Sequence, residues 1–346
     1  MAKRCTPAGV SENSLNTLAQ NGTAIIQGEG SDLSSDKAIK GRAKRKMISQ
    51  AMVLSLIDVA MKRGDIDKVQ SFWNTYHCQN SIVCNEGRIY GNYCKNRYCT
   101  LCCSIRKAEI INKYYPVIRQ WQTPYFVTLT IKACKAGSLR IMVKALIRGF
   151  KRINEKYRKN NQRGKGIRLF GVKSVECNYN PISCTYNPHL HLIVANKEIA
   201  ETLTAEWLAL WTPKFTNRVA QHYRPIHDLE MALIETIKYG SKIFTEPDVR
   251  NKSKGSKDGT LYAAALYNIF NAMEGIRIFD RFGFDLPKAP LKERKGARVV
   301  TEFSKWVFSP QYFDWLNTEN ELTLSGYDPS ADLRNLLENR IDKEQQ

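Results

Sequence analysis

Pro188-His-Leu-His-Leu-Ile-Val194 is the stretch from which the rest of the chain can be ordered. In a strand, successive side chains point to opposite faces, so His189 and His191 share one side while Leu190, Leu192 and Val194 fill the other. Two imidazoles in an otherwise apolar strand must be satisfied, either as a hydrogen-bonded structural pair or as metal ligands. Residues 167–179 read as a second strand, joined to residues 188–195 through turn-forming Asn180, Pro181 and Asn187, which predicts an antiparallel pair. Within it, Val172-Lys-Ser-Val-Glu-Cys-Asn178 alternates Glu176 with Val175 and Cys177, so the carboxylate can share the histidine face. Glu176, His189 and His191 then form a mixed N/O donor set with positions left for water or substrate oxygens. It suits Mg²⁺ or Mn²⁺ acting on a phosphate, and Zn²⁺ is compatible with it too. The competing reading of Glu176 is an edge-strand ion pair with a lysine.

Outward from this pair, Tyr125-Phe-Val-Thr-Leu-Thr-Ile131 is a third strand by its β-branched and aromatic content. Helical spacing is expected over residues 47–63, stopped by Gly64, and over 105–120, 139–157, 200–211, 228–244 and 261–274. The order of strands and helices predicts an α+β fold, a central antiparallel sheet with helices on one face. No glycine-rich nucleotide loop is present in the sequence.

The 346 residues include 53 Lys and Arg against 33 Asp and Glu, a net charge of +20 that is usually matched to a polyanion, nucleic acid first. No apolar run approaches the roughly 20 residues that span a bilayer, and no signal-like segment follows Met1, so the expected location is cytoplasmic. Residues 1–36, rich in Ser, Asn, Thr, Gly and Asp, are expected to be a disordered tail. The basic cluster from Lys37 to Lys46 that follows is either a solvated face or a phosphate contact.

The ten cysteines concentrate at Cys78, Cys84, Cys94, Cys99, Cys102 and Cys103, whereas Cys5, Cys134, Cys177 and Cys184 are scattered. A C-x₂-C knuckle with cysteines upstream fits a tetrahedral Zn²⁺ site. Cys78 with Cys94, Cys99 and Cys102 is the favoured set, with Cys84 or His77 as alternatives to Cys78, and buried free thiols are the competing reading.

On the helix expected at 228–244, Leu233, Ile234, Ile237 and Phe244 gather on one side, and Glu235, Tyr239 and Lys242 lie within roughly 60° of one another on the other. A phenol is a poor nucleophile unless positive charge favours its phenolate, which Lys242 and a metal-bound phosphate can do. The plain alternative is an amphipathic helix with an exposed Tyr. Basic residues at 132–159, among them Lys144, Arg148, Lys151 and Arg152, are interleaved with Phe150 and Tyr157, a mixture able to follow a phosphate backbone and stack bases. Trp207, Trp211 and Phe215 are candidate stacking platforms or core.

Together, FVTLT at 126–130, the His-hydrophobic-His strand and the E-x-x-x-Y-x-x-K string at Glu235, Tyr239 and Lys242 resemble the HUH endonucleases, and within them the single-tyrosine initiators of plasmid rolling-circle replication. The resemblance covers roughly residues 75 to 285, and the C-x₄-C-x₂-C string is similar to the cysteine segment before the HUH domain in these initiators and related transposases. It implies a palm of ferredoxin or RRM type that nicks single-stranded DNA at an origin hairpin. Tyr239 would attack the phosphate, leaving a 5′-phosphotyrosine and a 3′-OH primer. His189, His191 and Glu176 would hold the divalent metal, Lys242 would compensate charge, and Glu235 would activate water to end the cycle. Implied partners are origin DNA and the host polymerase and helicase. The expected domains are the tail (1–36), a basic helical segment with a zinc site (37–120), the nickase domain (121–285) and an appendage (286–346). The rival readings are an HUH transposase or relaxase with the same chemistry, and a non-enzymatic zinc-containing nucleic-acid-binding regulator.

Overall fold

The computed structural model describes residues 18–20, 22–180, 182–237, 263–287, 296–331 and 333–334. In chain order these form β1 (Leu18–Gln20), β2 (Thr23–Ile26), β3 (Ser31–Asp32), α1 (Asp36–Lys62), α2 (Ile66–Tyr76), β4 (Ser81–Asn85), β5 (Arg88–Gly91) and α3 (Thr100–Ile118). There follow β6 (Tyr125–Thr130), α4 (Ala136–Gln162), β7 (Gly171–Asn180), β8 (Thr185–Val194), α5 (Lys197–Leu210), β9 (His222–Pro225) and α6 (Leu229–Thr236). Last come α7 (Ala263–Ala272), β10 (Phe279–Phe282), β11 (Arg298–Val300), β12 (Ser304–Ser309) and β13 (Asp314–Asn317). The class is α+β with antiparallel sheets. Among the described residues no helix is long and apolar enough to cross a membrane.

Packing divides the chain into two units, Met1–Leu54 with Gln70–Leu101 and Ala289–Gln346, and Ser55–Val69 with Cys102–Lys288. The second unit holds the histidine strand. Its sheet runs β10-β7-β8-β6-β9, every neighbour antiparallel. The β7–β8 turn begins at Asn180, whose side-chain oxygen accepts from the Ile182 and Ser183 amides at 2.9 and 3.2 Å, as an Asx turn does. Val127, Leu129, Val175, Leu190, Leu192 and Val194 bury one face against α4, α5 and α7, each contributing roughly 1.5–3 kcal/mol. That burial fixes the register, because a slip of one residue would turn His189 and His191 into the core.

The second face is not open, as a sheet with helices on one side would leave it. Phe126, Val172 and Ile193 pack there against Tyr114 and Ile118 of α3 and Leu233 of α6. The alternation that hides Val127 and Leu129 presents Phe126 to this side, and an apolar ring there needs its own cover. Trp207 is fully buried, its indole N–H donating to the Thr130 carbonyl at 3.0 Å, so it is core and offers bases no platform.

In the first unit, β13-β12-β4-β5-β3 form one sheet and β1-β2-β11 another. Two expectations change here. The described part of the supposed tail, from residue 18 to 32, carries three strands, and Ala24 and Ile26 of β2 are fully buried beside Val83 and Tyr90; a polar average over 36 residues conceals the alternation of Thr23-Ala-Ile-Ile26. The C-terminal segment is no separate appendage, since β12 pairs with β4 and the buried Trp315 donates to the Gln79 carbonyl at 2.8 Å. The basic cluster is helical from Asp36, and two of its members are neither solvated nor free for phosphate. Arg42 is buried, and Lys46 is fully buried with its ammonium donating to the Tyr76 and Cys78 carbonyls at 2.6 and 2.8 Å.

Candidate functional site

On the second face of the central sheet, Glu176 of β7 stands directly across from His189 of β8, and Thr130 of β6 from His189 on its other side. One row along, Ser174, His191 and Thr128 are aligned in the same way. FVTLT is thus a two-sided strand, with Val127 and Leu129 in the core and Phe126, Thr128 and Thr130 on the histidine face.

The geometry converges on one point. His189 Nδ1 lies 3.0 Å from the Asn187 carbonyl. A carbonyl can only accept, so that nitrogen carries the proton and the Nε2 lone pair turns inward. His191 Nδ1 meets the Thr128 hydroxyl at 3.1 Å. The two Nε2 atoms are 3.1 Å apart, and Glu176 Oε2 lies 3.7 Å from that of His189 and 3.5 Å from that of His191. Such separations match neighbouring ligands each about 2.0–2.2 Å from a shared ion. Two nitrogens and a carboxylate oxygen this close repel unless a proton or a cation is shared among them. Glu176 and His189 are buried and His191 is partly exposed, so the cluster is reached from the His191 side.

Phe126 links the cluster to a cavity. Its ring centre is 5.1 Å from that of His191, and the central carbon of the Arg224 guanidinium lies 5.7 Å from the centre of the same Phe126 ring. Phe126 and Arg224 line a cavity of about 330 Å³ with His227, Met231 and Glu235. α6, capped by the Asp228 side chain accepting from the Met231 amide at 2.9 Å, carries Glu235 into this lining while Leu233 is buried behind it. α6 ends at Thr236 with Ile237 as its C-cap, short of the helix expected to residue 244, and Tyr239 and Lys242 lie outside the described residues.

The cysteine cluster is built differently. The sulfurs of Cys78, Cys94, Cys99 and Cys102 all lie within 4.8 Å of one another. Lys95, next to Cys94, has φ +58°, a left-handed turn on the approach to the C-x₂-C knuckle, and the Cys94 amide donates to Cys78 Sγ at 3.4 Å. Cys99 and Cys102 flank the start of α3 and are buried. Four thiol ligands without oxygen or nitrogen donors suit tetrahedral Zn²⁺. Nearby, burial pushes the Lys46 ammonium down to about 8, and Cys78, Cys99 and Cys94 oppose that shift. A buried cation beside the cluster offsets the charge that four thiolates carry. Cys84 and His77 stand outside this group. Burial raises the Cys84 thiol to about 11, and His77 pairs its Nδ1 with the Asn80 amide at 3.1 Å and stacks on Trp73.

Thr128 and Asn187 orient the two imidazoles, yet the sequence marks Thr128 only as a strand residue and Asn187 only as a turn former. The period-two alternation of FVTLT places Thr128 on a face, but only the observed register puts it opposite His191. Phe150 and Tyr157, two of the aromatic residues expected to stack bases, are occupied otherwise. Phe150 is buried in the core, and the Tyr157 hydroxyl donates to Glu206 at 3.0 Å.

Comparison with known proteins gives the context for this geometry. A family model described as "Replication protein" matches residues 88–248. A protein named "Protein rep" from Staphylococcus aureus is 30% identical over 167 residues, 44% of this chain and 70% of the relative. Namesakes from Bacillus sp and Bacillus amyloliquefaciens are each 25% identical, over 171 and 147 residues. These stretches cover 46% and 40% of this chain and 51% and 41% of the two relatives. No solved structure matches. The matched residues run from β5 through the cysteine knuckle and the histidine strand to α6, and the chain belongs to the replication protein family, Rep.

Proposed function

We propose that the chain initiates plasmid replication by the rolling-circle route, nicking single-stranded origin DNA through Tyr239. The observation that carries this reading is the convergence of Glu176 and the two His Nε2 atoms beside a cavity that Glu235 lines. The order strand, helix, strand, strand, helix, strand over β6, α4, β7, β8, α5 and β9, arranged in space as β9-β6-β8-β7, supports an HUH palm of ferredoxin type. Residues 121–285 would be the nickase domain and the cysteine segment before it a structural zinc site.

Glu176, His189 and His191 would hold Mg²⁺ or Mn²⁺, which supplies charge stabilisation at a phosphoryl oxygen. The protein's own groups do the rest. Thr128 and Asn187 hold the imidazoles in orientation, and Lys242 favours the phenolate of Tyr239. The phenolate oxygen forms a bond to phosphorus, the bond to the 3′ oxygen breaks, and that oxygen takes a proton to become the 3′-OH primer. Reversal by an incoming 3′-OH, or attack by a water that Glu235 deprotonates, releases Tyr239. Single-stranded and hairpin origin DNA, and the host polymerase and helicase that extend the primer, are the partners this reading requires, and the cytoplasm is where it places them.

The test incubates the full chain with single-stranded DNA carrying the origin hairpin and Mn²⁺ and looks for a covalent adduct. The adduct should form, vanish in Tyr239→Phe, and fall at least about 100-fold in His189→Ala at unchanged DNA affinity. A fully active Phe variant removes Tyr239 from the mechanism. The absence of any adduct from the unmodified chain favours a non-enzymatic DNA-binding role.

A further inference from the structure

α4 buries Leu139, Val143, Leu146, Phe150 and Ile153 in the core on the sheet face opposite the one that carries Glu176, His189 and His191. Its outward side therefore looks away from the nicking site. Of its 27 residues eight are basic and one, Glu155, is acidic. At 100° per residue, Lys144, Arg148, Lys151, Arg152 and Lys159 fall within an arc of about 100° centred opposite the buried stripe. All five are exposed. Glu155 lies inside the same arc, where it pairs with Arg158 at 2.8 Å and has its carboxyl pKa lowered by Arg158, Lys159 and Lys151, so the arc carries five cations against one carboxylate; Lys156, outside it, pairs with Glu206 at 2.7 Å. The stripe extends about 22 Å, the rise of roughly six nucleotides along one strand of a duplex. It continues into exposed Arg163, Lys165 and Arg168 beyond the helix.

We propose that the outward face of α4 binds double-stranded DNA along its phosphate backbone, on the side of the sheet opposite the nicking site. Only the identity of the polyanion rests on the replication reading; the surface itself does not. A duplex fits better than a single strand because single-strand surfaces combine charge with exposed aromatic platforms. Here both aromatics of α4 are taken, Phe150 by the core and Tyr157 by Glu206. A row of exposed cations on one helix, whose two aromatics are both engaged elsewhere, matches a regular backbone. Duplex origin DNA would then be held on one side of the sheet while the extruded strand is cut on the other.

The test replaces Lys144, Arg148, Lys151 and Arg152 together with Gln, which keeps helix propensity while removing charge. Binding of the full chain to a duplex of about 20 base pairs and to oligo-dT of equal length is followed against salt. Loss of four phosphate contacts should reduce the duplex salt slope by about 3.6 and weaken duplex binding at physiological salt at least about 30-fold. Oligo-dT binding and adduct formation on single-stranded origin DNA should stay within about twofold. A control with Gln at the exposed Lys37, Lys40, Lys62 and Lys214 removes the same charge elsewhere and should leave the duplex slope nearly intact. Equal loss in both sets, equal loss on oligo-dT, or an unchanged slope overturns the proposal. Failure of the nicking reading shows separately, as absence of adduct from the unmodified chain with the duplex slope still responding.

Discussion

The two ligand clusters of this chain differ in what positions them. Glu176, His189 and His191 project from neighbouring strands, and their convergence follows from sheet register, with Leu190, Leu192 and Val194 anchoring the same strand from behind. The four cysteines come from a loop, a left-handed turn at Lys95 and the first turn of α3, a frame with few strand hydrogen bonds of its own. A preformed mixed N/O set with a partly exposed side has room for a substrate oxygen, whereas four thiols that close on one another have none. On this contrast the histidine cluster is expected to keep its shape when no ion is bound, and the cysteine cluster is expected to need one.

The largest effect should follow from attacking the knuckle. Cys99→Ser with Cys102→Ser is expected to abolish zinc retention and lower the melting temperature by about 10 °C or more, because structural zinc contributes folding free energy directly. Proteolysis should open first around residues 78–103. The matching pair His189→Ala and His191→Ala should lose nicking yet keep both zinc content and melting temperature within a few degrees. Elemental analysis and calorimetry on the two double variants decide the matter; similar melting losses in both would erase the distinction between a preformed and an ion-dependent cluster.

A smaller effect tests how finely the sheet sets its ligands. Thr128→Val keeps the shape of the side chain and removes the hydroxyl that meets His191 Nδ1 at 3.1 Å. Loss of such an orienting bond costs about 10–100-fold in metal affinity. The Mn²⁺ concentration giving half-maximal nicking should rise by that factor, while the rate at saturating Mn²⁺ recovers to within about threefold. An unchanged Mn²⁺ requirement would mean that register alone orients His191.

The same contrast explains what the sequence disclosed. Period-two alternation is a local signal, so the two strands, the shared face of His189 and His191, and the ability of Glu176 to lie on that face could be read from neighbouring residues, while the register that sets Glu176 opposite His189 could not. The C-x₄-C-x₂-C spacing is local too. What escaped was non-local or masked by the cysteines. The hairpin of β4 and β5 turns through Glu86 and Gly87, both at positive φ, a two-residue turn that Glu-Gly announces weakly. The pairing of β12 with β4 joins residues more than 200 apart. Asn187 entered the reading as a turn former, yet its carbonyl sets the His189 tautomer, and a backbone group bears no residue signature. The second cover of the sheet, by α3 and α6, answers Phe126 and Val172 on the histidine side, and alternation shows which face they take but not which helices cover it.

Glu235 gives the smallest expected effect on the first nick and the sharpest division of roles within the nicking site. It lines the cavity bordered by Phe126, whose ring packs on His191, so its carboxylate lies toward the Glu176, His189 and His191 group without belonging to that cluster. Tyr239 follows it by four residues, one helical turn in the spacing the sequence supports. A carboxylate is a competent base for water near neutral pH, but the first attack does not need it if Lys242 favours the phenolate. Glu235→Ala should therefore make the first nick within about threefold of the unmodified rate while hydrolytic release falls at least about 100-fold, the range attributed to a positioned general base. Covalent adduct and over-length replication products should accumulate, and Glu235→Asp, with a shorter reach, should restore release in part. If Glu235→Ala instead fails at the first nick with its melting temperature intact, the carboxylate deprotonates Tyr239 itself or replaces Glu176 as a ligand. A shifted Mn²⁺ requirement separates those two: a base leaves the requirement where it was, and a ligand moves it.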